Sequence, residues 1–229
     1  MLAGSVDLQP VWLTLQLSSI TVIVLLIIGM PVAWWLSGTR SRLKIPIEAI
    51  TALPLVLPPT VLGFYLLVLL GTNGVLGQGW IALSGHPLSF TFTGLVIASC
   101  IYSLPFVVQP LQAGFEAIDR HTSEAAWMLG ASRLKTFFTI VLPQARRGLL
   151  TAIVLGFAHT MGEFGVILMV GGNIPGKTQV ISIAIYEQVE QMSYMTAHIL
   201  SLSLLVFSFV VLVVVYSINR RWHFRMSTA

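Results

Sequence analysis

Long apolar runs separated by short polar segments are the dominant pattern of this chain. A hydrocarbon layer of about 30 Å requires roughly 20 apolar residues per helical crossing. Lipid offers no partner to unpaired backbone groups, and the runs are too long for barrel strands, so we predict that each run is a helix. The prediction is an all-α integral membrane protein, a helical bundle of about five transmembrane helices. The runs are Val11 to Leu36, Ala49 to Leu70, Phe92 to Leu111, Gly148 to Val170 and Met195 to Ile218.

Composition supports the same class. Charged residues make up 9% of the chain, whereas a soluble domain carries about a quarter. Residues 49–115 contain no Asp, Glu, Lys or Arg. The formal charge is +4, but the basic residues form short clusters rather than a continuous stripe, which excludes nucleic acid as a partner. No polar stretch is long enough for a second domain, so residues 1–229 are predicted to form a single transmembrane domain.

The basic residues predict the orientation, because short cytoplasmic loops accumulate Lys and Arg. All basic residues except Lys177 fall in three alternating segments, which are therefore expected on the cytoplasmic side. The N-terminus is then outside and the C-terminus cytoplasmic, in a multi-pass protein of the cytoplasmic (inner) membrane. The three segments contain Arg40, Arg42 and Lys44; Arg120, Arg133, Lys135, Arg146 and Arg147; and Arg220, Arg221 and Arg225.

The cytoplasmic segment 112–147 is far longer than a turn between two helices requires. Its pattern predicts two short helices joined by a sharp bend. Capping and stop residues follow one another in the expected order: Asp119 before a helix to Leu129, Gly130 as a left-handed stop, Ser132 before a second helix, and Pro143 after its end.

An apolar stripe lies on the second of these helices. Leu134, Phe137, Phe138 and Val141 recur at helical spacing beside basic residues. Such a surface must be covered by the protein's own bundle, by lipid headgroups or by a partner protein. The residues alone leave these three alternatives open.

The same segment resembles the EAA-loop signature of binding-protein-dependent ABC importer permeases. The matching positions are Glu124-Ala125-Ala126, then three residues and Gly130, then nine residues and Ile140, then one residue and Leu142-Pro143. The resemblance implies that this bent-helix element couples the chain to a separate ABC ATPase subunit. ATP and Mg would be bound by that partner, and this chain, with no phosphate-loop motif, is predicted to bind no cofactor or metal and to have no catalytic residue.

Three further stretches look like molybdate permeases. They are Leu53 to Pro59 in the second run, Gly162 to Gly165 in the fourth, and Gly172 to Gly176 outside. Sulfate permeases are similar through the last two stretches, so sulfate or thiosulfate is the alternative substrate, and tungstate is not separable from molybdate. The resemblance to molybdate permeases favours a homodimer. His159 departs from the Arg of these relatives, which puts in doubt any role that needs a permanent charge there.

Three prolines interrupt the second run. Pro54, Pro58 and Pro59 each lack an N–H, so the helix is predicted to be kinked or broken. Irregular backbone at membrane depth is tolerated where it is buried in protein or lines a water-filled path. This segment is therefore a candidate gate, although a plain structural kink remains the alternative. The freed carbonyls are acceptors and would repel an anion.

Glu163 is the only carboxylate inside a predicted run. Near the bilayer centre a charged side chain costs about 2.5 kcal/mol or more, so Glu163 is expected to have a partner or to face a cavity. His159 lies one helical turn earlier. A buried pair or a hydrogen bond across a subunit interface is the favoured interpretation, with a proton relay as the alternative. His159 is a further candidate for the pathway.

The outer loops contain Lys177 as their only fixed positive charge, too little for a selective site for a dianion. A separate extracytoplasmic binding protein is therefore expected to select the substrate. The stretch Gln179 to Gln191 is predicted to be a short helix capped by Thr178. A different class, the ion-coupled secondary transporter, predicts clusters of ionisable residues at midplane.

Overall fold

The structure, a computed structural model, describes residues 7–226, and every regular element in that range is helical. The predicted all-α class is confirmed. Residues 1–6, for which an outside location is predicted, lie outside the described range, as do the side chains of Arg120, Arg220, Arg221 and Arg225.

The helices follow one another in a single chain order, with a π-helical turn, Phe137–Val141, between α7 and α8. They are α1 (Gln9–Gly38), α2 (Lys44–Val56), α3 (Pro59–Leu70), α4 (Val75–Ser84), α5 (Phe92–Glu116), α6 (Arg120–Met128), α7 (Arg133–Thr136), α8 (Leu142–Gln144), α9 (Arg146–Met161), α10 (Gly165–Gly171), α11 (Ile181–Glu190) and α12 (Tyr194–Met226).

Among the described residues, α1, α5 and α12 are the helices long and apolar enough to cross a membrane singly. They coincide with the first, third and fifth predicted runs. Helix α5 continues to Glu116, beyond the predicted end at Leu111, because its buried face extends past the apolar run through Phe115. Two pairs of shorter helices, each bent at a break, bring the count to five if each pair is one span.

The second predicted run is one of these bent pairs. Helices α2 and α3 meet at 113°, with Leu57 and Pro58 between them. The predicted break is confirmed at Pro58 and Pro59, where a proline in the first turn of α3 needs no donor. Pro54 lies inside α2 and does not end it.

The prediction of one continuous helix from Gly148 to Val170 is wrong. Helix α9 ends at Met161 and α10 begins at Gly165. The three residues between them include Glu163, whose backbone and side chain are both held by other helices. Helix α9 instead makes the second bent pair, at 74°, with the helical segment Arg133–Gln144 that precedes it.

Helices α1, α5 and α9 form the centre of the fold. Their buried side chains make one apolar cluster with Phe137 and Val141. Gly114 and Gly148 let α5 and α9 approach closely, since a Cβ on Gly148 would lie 2.8 Å from Gly114 Cα. Helices α3 and α10 pack against this centre, and only 11% of the apolar stretch of α12 is buried.

Candidate functional site

The break between α2 and α3 touches the break between α9 and α10. A Cβ on Gly165, the first residue of α10, would lie 3.0 Å from Pro59 Cβ at the start of α3. Four residues further along α3, a Cβ on Gly63 would lie 2.9 Å from Met169 Cβ. The candidate gate at Pro58 and Pro59 therefore lies against the segment that carries Glu163, and the first residues of α3 are exposed at the subunit surface.

Glu163 lies in the break between α9 and α10, and its side chain is buried against α5. Its side chain is inaccessible. Ser99 Oγ donates to Glu163 Oε2 and Ser103 Oγ donates to Oε1, both at 2.6 Å. His159 Nδ1 lies 3.5 Å from Oε1. The expected buried partner is therefore found within the chain.

His159 lies at the edge of this cluster, with a side chain that is 17% exposed. Its Nδ1 is 2.9 Å from Ser103 Oγ. The imidazole stacks on Phe106 with ring centroids 3.8 Å apart, and Tyr102 lies at 4.7 Å on a tilted ring.

The break is also fixed from the side of α11. Ser182 Oγ donates to the carbonyl of Glu163, and the backbone N–H of Ile181 donates to Thr14 Oγ1 on α1 at 2.8 Å. Glu163 is thus tied to α5 by its carboxylate and to α11 by its carbonyl. These two attachments explain why a helix that the sequence favours is interrupted here.

The short helix predicted at Gln179 to Gln191 is present as α11, but the prediction that Thr178 caps it is wrong. The N-cap is Val180, which makes no side-chain cap. Thr178 Oγ1 instead donates to Gly171 O at 2.7 Å and accepts from Ile174 N, because the loop between α10 and α11 folds back on itself. On the same helix, the hydrogen bond to Glu190 raises the pKa of Tyr186.

The bend in the segment that matches the EAA signature forms as predicted. Asp119 accepts from His121 N and Ser132 from Lys135 N. Gly130 has φ +81°, its N–H donates to Trp127 O, and Ala131 N donates to Ala126 O. This pair of bonds is a Schellman motif, which requires a left-handed residue at the glycine position.

The predicted apolar stripe divides between interior and surface. Phe137 and Val141 are buried, and the Phe137 ring centroid lies 4.6 Å from that of Trp34 on α1. Leu134 and Phe138 are exposed. The segment therefore attaches to the bundle by one half of its stripe and leaves the other half open.

The prediction that Pro143 follows the end of the second helix is wrong. Pro143 lies within α8. The π-helical turn just before it widens the helix, so that Leu142 N donates to Phe137 O and the chain continues past a residue without an N–H.

The remaining signature residues are mostly at the surface. Glu124, Ala125, Gly130 and Pro143 are exposed, Ile140 and Leu142 are half-buried, and Ala126 is buried. Glu124 Oε2 lies 3.5 Å from His121 Nδ1 and lines a cavity of about 550 Å³ between this segment, α1 and α5. Five large apolar side chains of the same segment are also exposed: Trp127, Met128, Leu129, Leu134 and Phe138.

Sequence reasoning missed the residues that hold Glu163. Ser99 and Ser103 lie four residues apart in the third predicted run, a spacing that places two hydroxyls on one helix face. That spacing was the available signal, but it does not say which helix the face meets. Within residues 7–226 no group of His, Cys, Asp and Glu has the arrangement of a metal site. The cluster of Ser99, Ser103, His159 and Glu163 can hold a charge inside the bundle, and it leaves part of the His159 ring exposed.

Comparison with known proteins gives a consistent result. Residues 25–224 match the family model of the binding-protein-dependent transport system inner membrane component. The chain is 56% identical to a molybdenum transport system permease protein of Azotobacter vinelandii, over 93% of this chain and 95% of that one. It is 32% identical to a sulfate transport system permease protein of Synechocystis, over 86% of this chain and 68% of that one.

A solved structure has the same fold. A bacterial ABC transporter involved in the import of the acidic polysaccharide alginate matches 96% of this chain and 80% of its own with a TM-score of 0.76. At 18% sequence identity, this likeness concerns the fold alone.

Proposed function

The chain belongs to the family of binding-protein-dependent transport system inner membrane components, and from that premise we propose that it is the permease subunit that carries molybdate across the cytoplasmic membrane. The 56% identity over nearly the whole length of a molybdenum transport permease is the observation that carries the proposal. The identity to a sulfate permease is 32%, which makes sulfate the second candidate.

Energy would come from a separate ABC ATPase subunit. The exposed apolar side chains of α6 and of the segment Arg133–Gln144 support this, because such a surface needs a partner and its own bundle covers only Phe137 and Val141. In this proposal Glu124, Ala125, Ala126, Gly130, Ile140, Leu142 and Pro143 form the coupling element.

The pathway would lie along the joint between the α2–α3 break and the α9–α10 break, beside Pro54, Pro58, Pro59, His159 and Glu163. Irregular backbone at membrane depth is tolerated where it borders a water-filled path. Glu163 would not bind the substrate, because a carboxylate repels a dianion. Glu163 would instead be the negatively charged acceptor in the hydrogen-bond network that holds His159. A second copy of this chain would complete the conduit.

An extracytoplasmic binding protein would deliver the substrate to the outer face. The outer loops supply one Lys and no Arg, so a tight site for a tetrahedral dianion requires donors from another protein. ATP would then close the ATPase pair, move the coupling elements and shift the two permease subunits between outward-open and inward-open states.

The test is uptake of radiolabelled molybdate into liposomes that contain this permease with the ATPase and the binding protein encoded beside it. Uptake should require ATP hydrolysis, resist excess sulfate and be inhibited by tungstate. Equal inhibition by sulfate and molybdate would overturn the molybdate assignment. Uptake that follows an imposed proton gradient without ATP would overturn the ABC mechanism in favour of an ion-coupled carrier.

A further inference from the structure

Ser103 Oγ has three polar neighbours. They are Glu163 Oε1 at 2.6 Å, His159 Nδ1 at 2.9 Å and Thr160 Oγ1 at 3.0 Å. A serine hydroxyl carries one proton and two lone pairs. It can donate to only one of the three neighbours. The other two neighbours must then donate to Ser103 if they are to share a hydrogen bond with it.

The geometry assigns the Ser103 proton to Glu163. Contacts of 2.5–2.7 Å between a hydroxyl and a carboxylate are typical of charge-assisted bonds to an ionised group. Both oxygens of Glu163 have such a contact, one from Ser99 and one from Ser103. An ionised carboxylate only accepts, so both serines donate to it.

His159 Nδ1 must then carry a proton, because Ser103 has none left to give it. Thr160 does not change this, since its hydroxyl also lies 2.9 Å from the carbonyl of Gly156 and can donate there. The other ring nitrogen, Nε2, has no hydrogen bond among the described residues. The His159 side chain is 17% exposed, and Nε2 is not one of the fully buried polar atoms without a partner among the described residues, so Nε2 lies on the partly exposed side of the ring.

Among the side chains that the structure describes, Glu163 is the charged group that lies against His159. Helix α1 has no charged residue between Gln9 and Gly38. Helix α5 contributes Cys100 and Tyr102 near the ring and Glu116 at its far end. Helix α12 contributes Tyr194 and His198 between Tyr194 and Val213, and α9 carries Arg146 and Arg147 at its opposite end.

We infer that Ser103 is a positioning residue that fixes a proton of His159 on Nδ1 and leaves Nε2 as the ring nitrogen available to a ligand. When the ring is neutral, Nε2 is a hydrogen-bond acceptor and repels an oxyanion. When the ring is charged, Nε2 carries an N–H that can donate a hydrogen bond to an oxyanion. This consequence for transport rests on the proposed function, whereas the proton position does not.

The first test measures the proton position without transport. ¹⁵N-histidine NMR of the full-length permease identifies the His159 signals by their loss in His159→Gln. The neutral ring in the wild type should be protonated at Nδ1. Ser103→Ala should move the proton toward Nε2 or change the Nδ1 signal, because the acceptor is lost. Ser99→Ala is the matched control, since it removes one hydrogen bond to Glu163 without touching His159.

The second test measures uptake by the assembled transporter over a range of pH. Loss of a hydrogen bond to a charged group corresponds to about tenfold in an equilibrium. Ser103→Ala should therefore shift the pH profile and lower uptake about tenfold. Ser99→Ala also loses a hydrogen bond to Glu163 and should lower uptake as well, but without a shift of the pH profile.

A neutral wild-type ring protonated at Nε2 would overturn the inference even if Ser103→Ala does not fold. Identical spectra and pH profiles for the two alanine variants would also overturn it. Absence of molybdate uptake by the wild type would instead count against the proposed function and leave the spectroscopic result standing.

Discussion

At the scale of single residues, Glu163 is the group in the membrane-spanning part of the chain whose burial costs the most free energy. Four polar side chains contact it. Ser99 and Ser103 donate to the carboxylate, His159 lies beside it, and Ser182 donates to its carbonyl. A charge at membrane depth persists only when such partners are supplied. The side chain therefore has a structural role that its charge alone does not reveal.

Glu163→Gln is expected to keep part of the uptake activity, because the amide retains an acceptor for one serine and a donor for the other. Glu163→Leu removes the acceptor of both serines and leaves the Ser99 hydroxyl unsatisfied, at about 1–3 kcal/mol, and should lower the temperature of unfolding and the amount of protein in the membrane. Thermal unfolding of the purified variants and ATP-driven uptake measure the two effects.

Uptake by the Gln variant should also be insensitive to a protonophore that leaves ATP intact. A Gln variant that is folded, bound to its ATPase and inactive would show that Glu163 carries protons or substrate rather than structure.

At the scale of elements, two of the predicted apolar runs are each divided into two helices instead of forming one continuous helix. The break at Leu57 and Pro58 and the break around Glu163 face each other through Pro59 and Gly165. A segment with few backbone hydrogen bonds of its own moves more readily than an intact helix. In the proposed function, these two segments in contact are the place where one half of a span would shift against another.

Gly165→Ala is expected to reduce uptake severalfold, because its Cβ would lie 3.0 Å from Pro59 Cβ and would push α3 from α10. Gly162→Ala, three residues earlier in the same break, is the control. Its Cβ would make ordinary contacts at 3.7 Å and beyond. Uptake by the two variants at equal membrane abundance gives the comparison, and equal uptake would show that the joint is not a moving part.

Gly130→Val is expected to leave the chain inserted while uncoupling ATP hydrolysis from uptake. Gly130 has φ +81°, and a Cβ there would meet nothing within 4 Å, so the penalty comes from the backbone and is about 1–3 kcal/mol. That strain opposes the bend between α6 and α7. Gly79→Val is the control, because Gly79 is helical and its surroundings are equally open.

The measurement is the ratio of ATP hydrolysed to molybdate taken up. Gly79→Val should keep the wild-type ratio. Normal transport by Gly130→Val at normal abundance would mean that the coupling contact does not need the bend.

At the scale of the whole molecule, a packed centre of α1, α5 and α9 carries the remaining helices on its outside. The broken pair α2 and α3 lies on one side, and α6 with the segment Arg133–Gln144 lies at one end. Large apolar side chains are exposed over both and over α12. Lipid or partner subunits must cover these surfaces in the membrane.

Orientation is tested by fusing a reporter enzyme that is active only outside the cytoplasm. A fusion after Gly85, in the turn between α4 and α5, should be active, because the adjoining segments lack basic residues. A fusion after Ser132, in the bend after α6, should be silent. The opposite pattern would reverse the predicted topology while leaving the fold unchanged.

The sequence by itself determined the features that depend on local chemistry or on solvent. Apolar length fixed the long helices α1, α5 and α12, since only a helix satisfies its own backbone in lipid. The missing N–H groups of Pro58 and Pro59 fixed the first break. Asp119, Gly130 and Ser132 fixed the bent pair, because caps and a left-handed stop act within a few residues.

Only the tertiary structure decided the features that depend on which faces meet. The break at Glu163 arises because Ser103 on α5 and Ser182 on α11 hold it, and neither is near Glu163 in sequence. Pro143 stays helical because a π-helical turn precedes it. Phe137 is buried and Phe138 exposed because the segment docks on Trp34 of α1. Periodicity identifies a face of a helix, but the partner of that face is set by packing between distant parts of the chain.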